Sequence, residues 1–175
     1  TSNGIVHKKK VYELPLGNPQ SRGKAMVNLL PLEKDEYISV VMRLPEDEDK
    51  LSELDVMFAT SHGTVRRNNL TDFKNIRSNG LIAMKLGDGE KLVAVKPCRE
   101  DEDVMIATRD GKAIRFEVPD VRVFAGRTST GVRGIKLGKG DEVISMSIIR
   151  REEEGDDGQS LLCVSSKGFG KRTYA

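Results

Sequence analysis

Tryptophan is absent from this 175-residue chain, aromatics make up 5% of it, and only two cysteines are present. An interior built without large rings must be filled by small and β-branched side chains, beneath a surface carrying the 32% of charged residues. Cys98 and Cys163 have neither a CxxC partner nor a histidine at metal-ligand spacing, so both read as buried, reduced thiols of a reducing compartment. No apolar run approaches the ~20 residues needed to cross a bilayer. The opening TSNGIVHKKK reads as neither a signal nor a transit peptide. His7 and His62, the two histidines, stand apart from any carboxylate or cysteine constellation. GxxxxGK[ST] and GxSxG are missing, and GDGE (87–90) and GKGD (138–141) sit between strand-like runs as hairpin turns. No catalytic residue, cofactor site or metal site is expected in this chain.

What is present is repetition. Four times a small hydroxyl residue leads into a glycine turn and then a basic, extended stretch: TSNGIVHKKK, TSHGTVRR, TRDGKAIRF and SSKGFGKR. The turn glycines are Gly4, Gly63, Gly111 and Gly168. A second anchor, glycine then leucine six positions on, follows at Gly23–Leu29, Gly80–Leu86 and Gly131–Leu137. A period near fifty residues built from short strands predicts a blade-like repeat array. The units are 1–55, 56–103 and 104–160, with a half-unit at 161–175, together one partial domain over 1–175.

In the middle unit VMFAT (56–60), SHG and TVRRN predict a hairpin, with Gly63 free to take positive φ. LIAMKL (81–86) and LVAVKP (92–97) complete about four strands. The next unit offers VMIAT (104–108), KAIRFEV, VRGIKL (132–137) and VISMSII (143–149), and the first offers YISVVMRL (37–44). No convincing amphipathic helix appears. The fold class is all-β: a propeller-like array of about four-stranded blades, here three to four of them. The first unit lacks the strand ahead of its glycine turn and the last lacks everything after its hairpin, so a longer array is expected at both ends.

Net charge is only +2, but it is segregated. Acid collects in PEDED (45–49), EDED (100–103) and EEEGDD (152–157), and base collects inside the units, with eight Lys or Arg against three Asp or Glu from Arg109 to Lys139. Alternation along the hairpin strands places Lys8, Lys9, Lys10, Arg66, Arg67, Arg115, Lys171 and Arg172 outward, with His7 beside them. A second family flanks the glycine–leucine anchors: Arg22, Lys24, Arg77, Lys85, Arg127, Arg133 and Lys136. A radial array would set both families on an outer rim suited to bent duplex DNA, where phosphates dominate contacts. Single-strand binding would call for exposed aromatics among the cations, and only Phe116, Phe169 and Tyr174 are available.

TSTGVRGIKLGKGDEVISM (128–146), RGKAMVNLLPLEKDE (22–36), ATSHGTVRR (59–67) and GFGKRT (168–173) together resemble the C-terminal domain of bacterial DNA gyrase A, over essentially the whole chain. The resemblance implies a β-pinwheel, a six-bladed propeller-like disc with strand exchange between blades, which wraps double-stranded DNA on its basic perimeter. It implies a non-catalytic region of a type IIA topoisomerase that presents a bent duplex for ATP-dependent negative supercoiling in the bacterial cytoplasm, with no membrane involved. Implied partners are the rest of gyrase A and the second gyrase polypeptide, gyrase B. ATP and Mg belong to the whole enzyme, none to this segment. The family's basic-glycine box, QRRGGKG, is absent; NPQSRGK (18–24) is a loose echo of it, so the chain is expected to run from the second blade into the fifth. Two other readings stand beside this one: the C-terminal domain of topoisomerase IV, and a propeller-type protein-interaction module.

Overall fold

In a computed structural model of the chain, residues 1–45, 47, 49–151 and 158–174 are described. EEEGDD (152–157) and two residues of PEDED lie outside them. Eleven strands run β1 (Ile5–Val6), β2 (Asp55–Thr60), β3 (Thr64–Asn69), β4 (Leu81–Ile82), β5 (Leu92–Cys98), β6 (Glu102–Thr108), β7 (Ala113–Glu117), β8 (Val132–Arg133), β9 (Val143–Arg150), β10 (Ser160–Val164) and β11 (Gly170–Tyr174). Short 3-10 turns separate some of them, and no α-helix occurs among the described residues.

The recurring hydroxyl acts at the turn. In the second hairpin the Thr60 carbonyl accepts from the Gly63 N–H at 3.0 Å, while Thr60 Oγ1 accepts from the Thr64 N–H at 3.1 Å. Thr1, Thr108 and Ser165 accept the same two bonds at the other glycine turns, at 2.9–3.3 Å. The side chain caps amides that the reversal leaves unpaired, and glycine at the last turn position takes φ of +75 to +85 without a Cβ penalty. The repeat read from the sequence is therefore a repeat of hydrogen bonds.

Sheets and sequence units are out of phase. The largest sheet has the order β5-β2-β3-β8, all antiparallel, so its outermost strand comes from the following unit. Thr64 lies opposite Arg133 and Val65 opposite Val132. The same exchange joins β1 to β4, with Ile5 opposite Ile82 and Val6 opposite Leu81. Equivalent backbone bonds seal both crossings: Gly134 N–H to Gly63 O at 2.8 Å, and Ala83 N–H to Gly4 O at 2.8 Å. A third sheet is ordered β7-β6-β9, and β10 with β11 forms a separate hairpin.

Gly131 makes the exchange possible. Its φ is +95, and a Cβ there would stand 2.3 Å from the Val65 carbonyl oxygen. Only a residue without a side chain lets the linker backbone approach β3 so closely.

Two cores lie on opposite faces of the largest sheet. Met57, Ala59, Val65, Ala94 and Cys98 pack against Val104, Ile106 and Met146 of the third sheet. Val56, Phe58 and Leu92 face the other way, against Leu70, Phe73 and Met84. Strand alternation assigns odd residues of β2 to one core and even residues to the other, which makes the sheet the middle layer of a stack.

Some expectations change. LIAMKL and VRGIKL form strands only at Leu81–Ile82 and Val132–Arg133, because the chain meets the neighbouring edge for two residues and then turns away. Residues 37–44 form no strand, since the sheet partner that β5 finds in β2 has no counterpart for them among the described residues. Cys98 is buried, but Cys163 is exposed, because no second layer covers the β10–β11 hairpin.

Two measurements check this architecture. Burial pushes the Cys98 thiol up to about 12, so a thiol reagent at pH 8 should label only Cys163 in the folded chain and both cysteines in denaturant. Equal, rapid labelling of both in the native state would contradict the core. Gly131→Ala should cost about 1–3 kcal/mol in urea unfolding, more than Gly111→Ala. At Gly111 φ is also positive, at +82, but nothing lies within 4 Å of the added Cβ. Equal costs would show that close approach does not matter at 131.

Candidate nucleic-acid interface

The two families of cations have different fates. In the hairpin family Arg66 and Arg67 do not project from the rim: their relative exposures are 0% and 3%. This corrects the outward placement drawn from strand alternation. The hairpin lies inside the stack, so both of its faces are interior. Arg66 enters the core with Phe58, its guanidinium carbon 5.0 Å from that ring. Arg67 points the other way and pairs with Asp55 at 2.6 Å and Glu100 at 3.0 Å.

Arg115, at the place equivalent to Arg67, repeats the pairing. It bonds Asp103 at 2.8 Å, and Arg151 joins the same carboxylate at 3.0 Å and Glu117 at 2.9 Å. The EDED run is thus not simply a solvated spacer: Asp103 is 7% exposed. Burial alone would raise its carboxyl, but hydrogen bonds from Arg115 and Arg151 outweigh this and hold it below the usual carboxylate range. Lys8 and Lys10 are exposed, Lys9 is exposed and 3.5 Å from Glu13, and Lys171 and Arg172 are exposed on β11. His7 takes the place of Arg66 after the first glycine turn, and among the described residues neither ring nitrogen has a hydrogen-bond partner.

The anchor family is placed differently. Arg22, Lys24, Arg77, Lys85, Arg133 and Lys136 are all exposed. Among the described residues none of them forms an ion pair. Arg127 is half-buried and donates to the Asp72 carbonyl at 3.0 Å. Arg77 and Arg127, from successive units, come together across an open groove of about 730 Å³ whose wall also carries Asp72 and Asn79. Arg133 sits on β8 itself, opposite Thr64. Arg133 thus lies on an exchanged strand, and Arg77, Lys85, Arg127 and Lys136 lie on the segments that flank the two exchanged strands, whereas Arg22 and Lys24 flank no strand exchange among the described residues.

Arg122 does not emerge from the repeat positions, yet the structure singles it out. Its exposed guanidinium stacks 3.9 Å from the centre of the Phe124 ring, which is itself 6% exposed. An arginine held on a buried ring loses little further freedom on meeting an anion. A sequence signal does exist: arginine and phenylalanine two apart, on one face of an extended segment.

The glycine turns do not form phosphate loops. The Gly87 N–H, which such a loop would offer to an anion, donates instead to the Glu90 carboxylate at 2.8 Å. Among the described residues no group of three or more His, Cys, Asp or Glu could hold a metal ion.

Exchanged strands, stacked small sheets and exposed cations flanking the exchange points define a propeller-like, all-β repeat array. A family model described as "DNA gyrase C-terminal domain, beta-propeller" matches residues 1–52, 54–99, 102–150 and 159–173, and the chain belongs to that family. It is 52% identical to the DNA gyrase A protein of Rickettsia bellii (strain RML369-C) over 147 residues, which is 84% of this chain and 16% of that protein. Against the DNA gyrase A protein of Escherichia coli (strain K12) it is 40% identical over 173 residues, covering 99% of this chain and 19% of the relative. The chain therefore spans less than a fifth of the curated relatives it matches. A solved DNA gyrase A C-terminal domain superposes with a TM-score of 0.73 at 27% identity, over 98% of this chain and 51% of that one. The C-terminal domain of DNA topoisomerase IV superposes with a TM-score of 0.83 over 99% of this chain and 51% of that one, but at 23% identity it shows the fold alone. Of the two topoisomerase readings, gyrase A is the one the sequence relatives support.

The Asp103 cluster gives a pH signature. Its folded pKa is depressed, so its contribution is fully present above the unfolded value near ~4 and is lost as pH falls through the lower folded value. Asp103→Asn should destabilise the chain by about 1.5–3 kcal/mol at pH 7, the range for charge-assisted hydrogen bonds. The gap to wild type should stay constant from pH 8 to 5 and close below about pH 4. A gap that persisted undiminished at pH 2.5 would contradict the assignment.

Proposed function

We propose that this chain is a non-catalytic, duplex-binding part of gyrase A, which bends DNA along the cations flanking its glycine–leucine anchors. The observation that carries this reading is the contrast between the two families. Cations on hairpin strands inside the stack are spent on internal partners, whereas those around the exchanged strands are solvent-facing and lack ion pairs among the described residues. Free Lys and Arg at repeating intervals suit a phosphate ladder, and base edges need not be read. On this reading the phosphate contacts come from Arg22, Lys24, Arg77, Lys85, Arg122, Arg127, Arg133 and Lys136, with Lys8, Lys10, Lys171 and Arg172 adding to the field. In the whole enzyme the bent duplex would be presented for ATP-dependent negative supercoiling, with the rest of gyrase A and with gyrase B, in the bacterial cytoplasm. ATP and Mg²⁺ would act in other domains; in the GDGE turn the Glu90 carboxylate already occupies the Gly87 N–H that a phosphate would need.

Salt titration tests the proposal. If six to nine phosphates are neutralised, log K against log salt should fall with a slope of about −5 to −8. Affinity should rise as the duplex becomes long enough to bend, and should be similar on unrelated sequences. A slope shallower than about −3, or tight binding confined to one sequence, would overturn it. A propeller used for protein recognition predicts the shallow slope and no dependence on duplex length.

A further inference from the structure

The linker between the third sheet and β8, residues 121–131, is fixed to the largest sheet mainly by side chains. Asn68 Nδ2 donates to the Phe124 carbonyl at 2.9 Å and to the Gly126 carbonyl at 3.2 Å. Arg66 Nη1 donates to the Arg127 carbonyl at 2.6 Å and to the Ser129 carbonyl at 2.8 Å. Arg66 Nη2 reaches the Ala83 carbonyl, further along its own unit, and its Nε donates to Asn68 Oδ1 at 2.7 Å, so the two side chains hold each other. The Phe124 N–H returns a bond to the Arg67 carbonyl at 2.8 Å.

One planar fork thus captures three backbone carbonyls from two segments, a task for which guanidinium geometry is suited and an ammonium is not. Among the described residues no carboxylate forms an ion pair with it; the charge is met by carbonyl dipoles, the Phe58 ring and the field of the Asp72 carboxylate, which accepts from Asn68 Nδ2 at 2.9 Å. Desolvation pulls Arg66 down to about 10, well above neutral pH, so it remains a cation. The places equivalent to Arg66 hold His7, Ile114 and Lys171, and among the described residues none of these has a side-chain hydrogen bond to a linker, so within them the clamp is particular to this sheet. The linker it holds carries Arg122 and Arg127 and leads directly into Arg133.

We propose that Arg66, with Asn68, is a positioning residue for duplex binding: it fixes the backbone of 124–129 so that Arg122, Arg127 and Arg133 meet phosphate already ordered, and does not itself touch DNA. The inference rests on the duplex-binding reading above. Ordering the segment before binding removes an entropic cost that a loose linker would impose on every contact.

Arg66→Lys and Asn68→Ala in the full chain test it, read by amide hydrogen exchange of the free protein and by binding to a duplex of about 40 base pairs across a salt series. Arg66→Lys keeps the charge and loses the fork. It should leave β2 and β3 protected, speed exchange across 124–131 by about tenfold or more, and weaken binding by roughly 3–10-fold. The salt slope should also become shallower by about one to two, as ordered contacts are lost. Asn68→Ala, which keeps the Arg66 fork on the Arg127, Ser129 and Ala83 carbonyls and takes from it only the acceptor of its Nε, should move the same readouts less, and it decides the matter if Arg66→Lys does not fold. Wild-type affinity and slope together with a loosened linker would overturn the proposal. So would full binding by Arg66→Lys beside its loss in Arg66→Met, which would mean that the charge alone is needed. A shallow slope for the wild-type chain would sink the duplex reading itself, a result distinct from steep wild-type binding that neither substitution alters.

Discussion

The structure depends on how each hairpin edge finds a partner. A strand such as β3 has one edge paired to β2 and a second edge that would otherwise present bare N–H and C=O groups. That edge is satisfied by two residues of the following unit, Val132 and Arg133. The same solution joins β1 to Leu81 and Ile82. Because the partner comes from the next unit, the first unit is locked to the second and the second to the third. Gly131 sits at the crossing because the linker backbone passes too close to Val65 for any side chain.

This constraint also governs the electrostatics. Placing a hairpin between two neighbouring layers buries both of its faces, so charges on it must be neutralised or hydrogen-bonded. Arg67 answers with Asp55, and in the third sheet it is the buried Asp103 that is answered, by the exposed Arg115 and Arg151. Arg66 answers with carbonyl oxygens. The exchanged strands lie on the outside of the stack, where cations stay hydrated and available. A chain with net charge of only +2 can therefore present a basic surface at the exchange points while its acids are partly consumed inside. On the proposed function, the junctions that hold the units together are also where DNA is met, which couples the ordering of the linker to binding.

The periodicity of glycine turns, the hydroxyl ahead of each and the all-β class were legible in the residues, because hairpin turns are local and their chemistry is written in four or five positions. The anchor family of cations was legible for the same reason, since it flanks a glycine whose role is fixed locally. The burial of Arg66 and Arg67 was not. Period-two alternation says that neighbouring side chains face opposite ways, but not whether either way is solvent. In a stacked sheet both directions lead into protein, as Met57 and Phe58 show by joining different cores. For Arg122 the sequence offers only the spacing of an arginine two residues before Phe124, which gains meaning once that ring is known to be buried.

By itself, then, the sequence determined the repeat, the strand class, the reversal points and the reservoir of cations, all properties of short-range geometry. Tertiary structure alone decided which unit lends a strand to which sheet, and therefore which cations are consumed as internal ties and which are left facing water. The reason is that edge pairing and layer stacking are long-range: residues 66 and 127 are distant in the chain, and no local pattern records that the guanidinium of one will hold the carbonyl of the other.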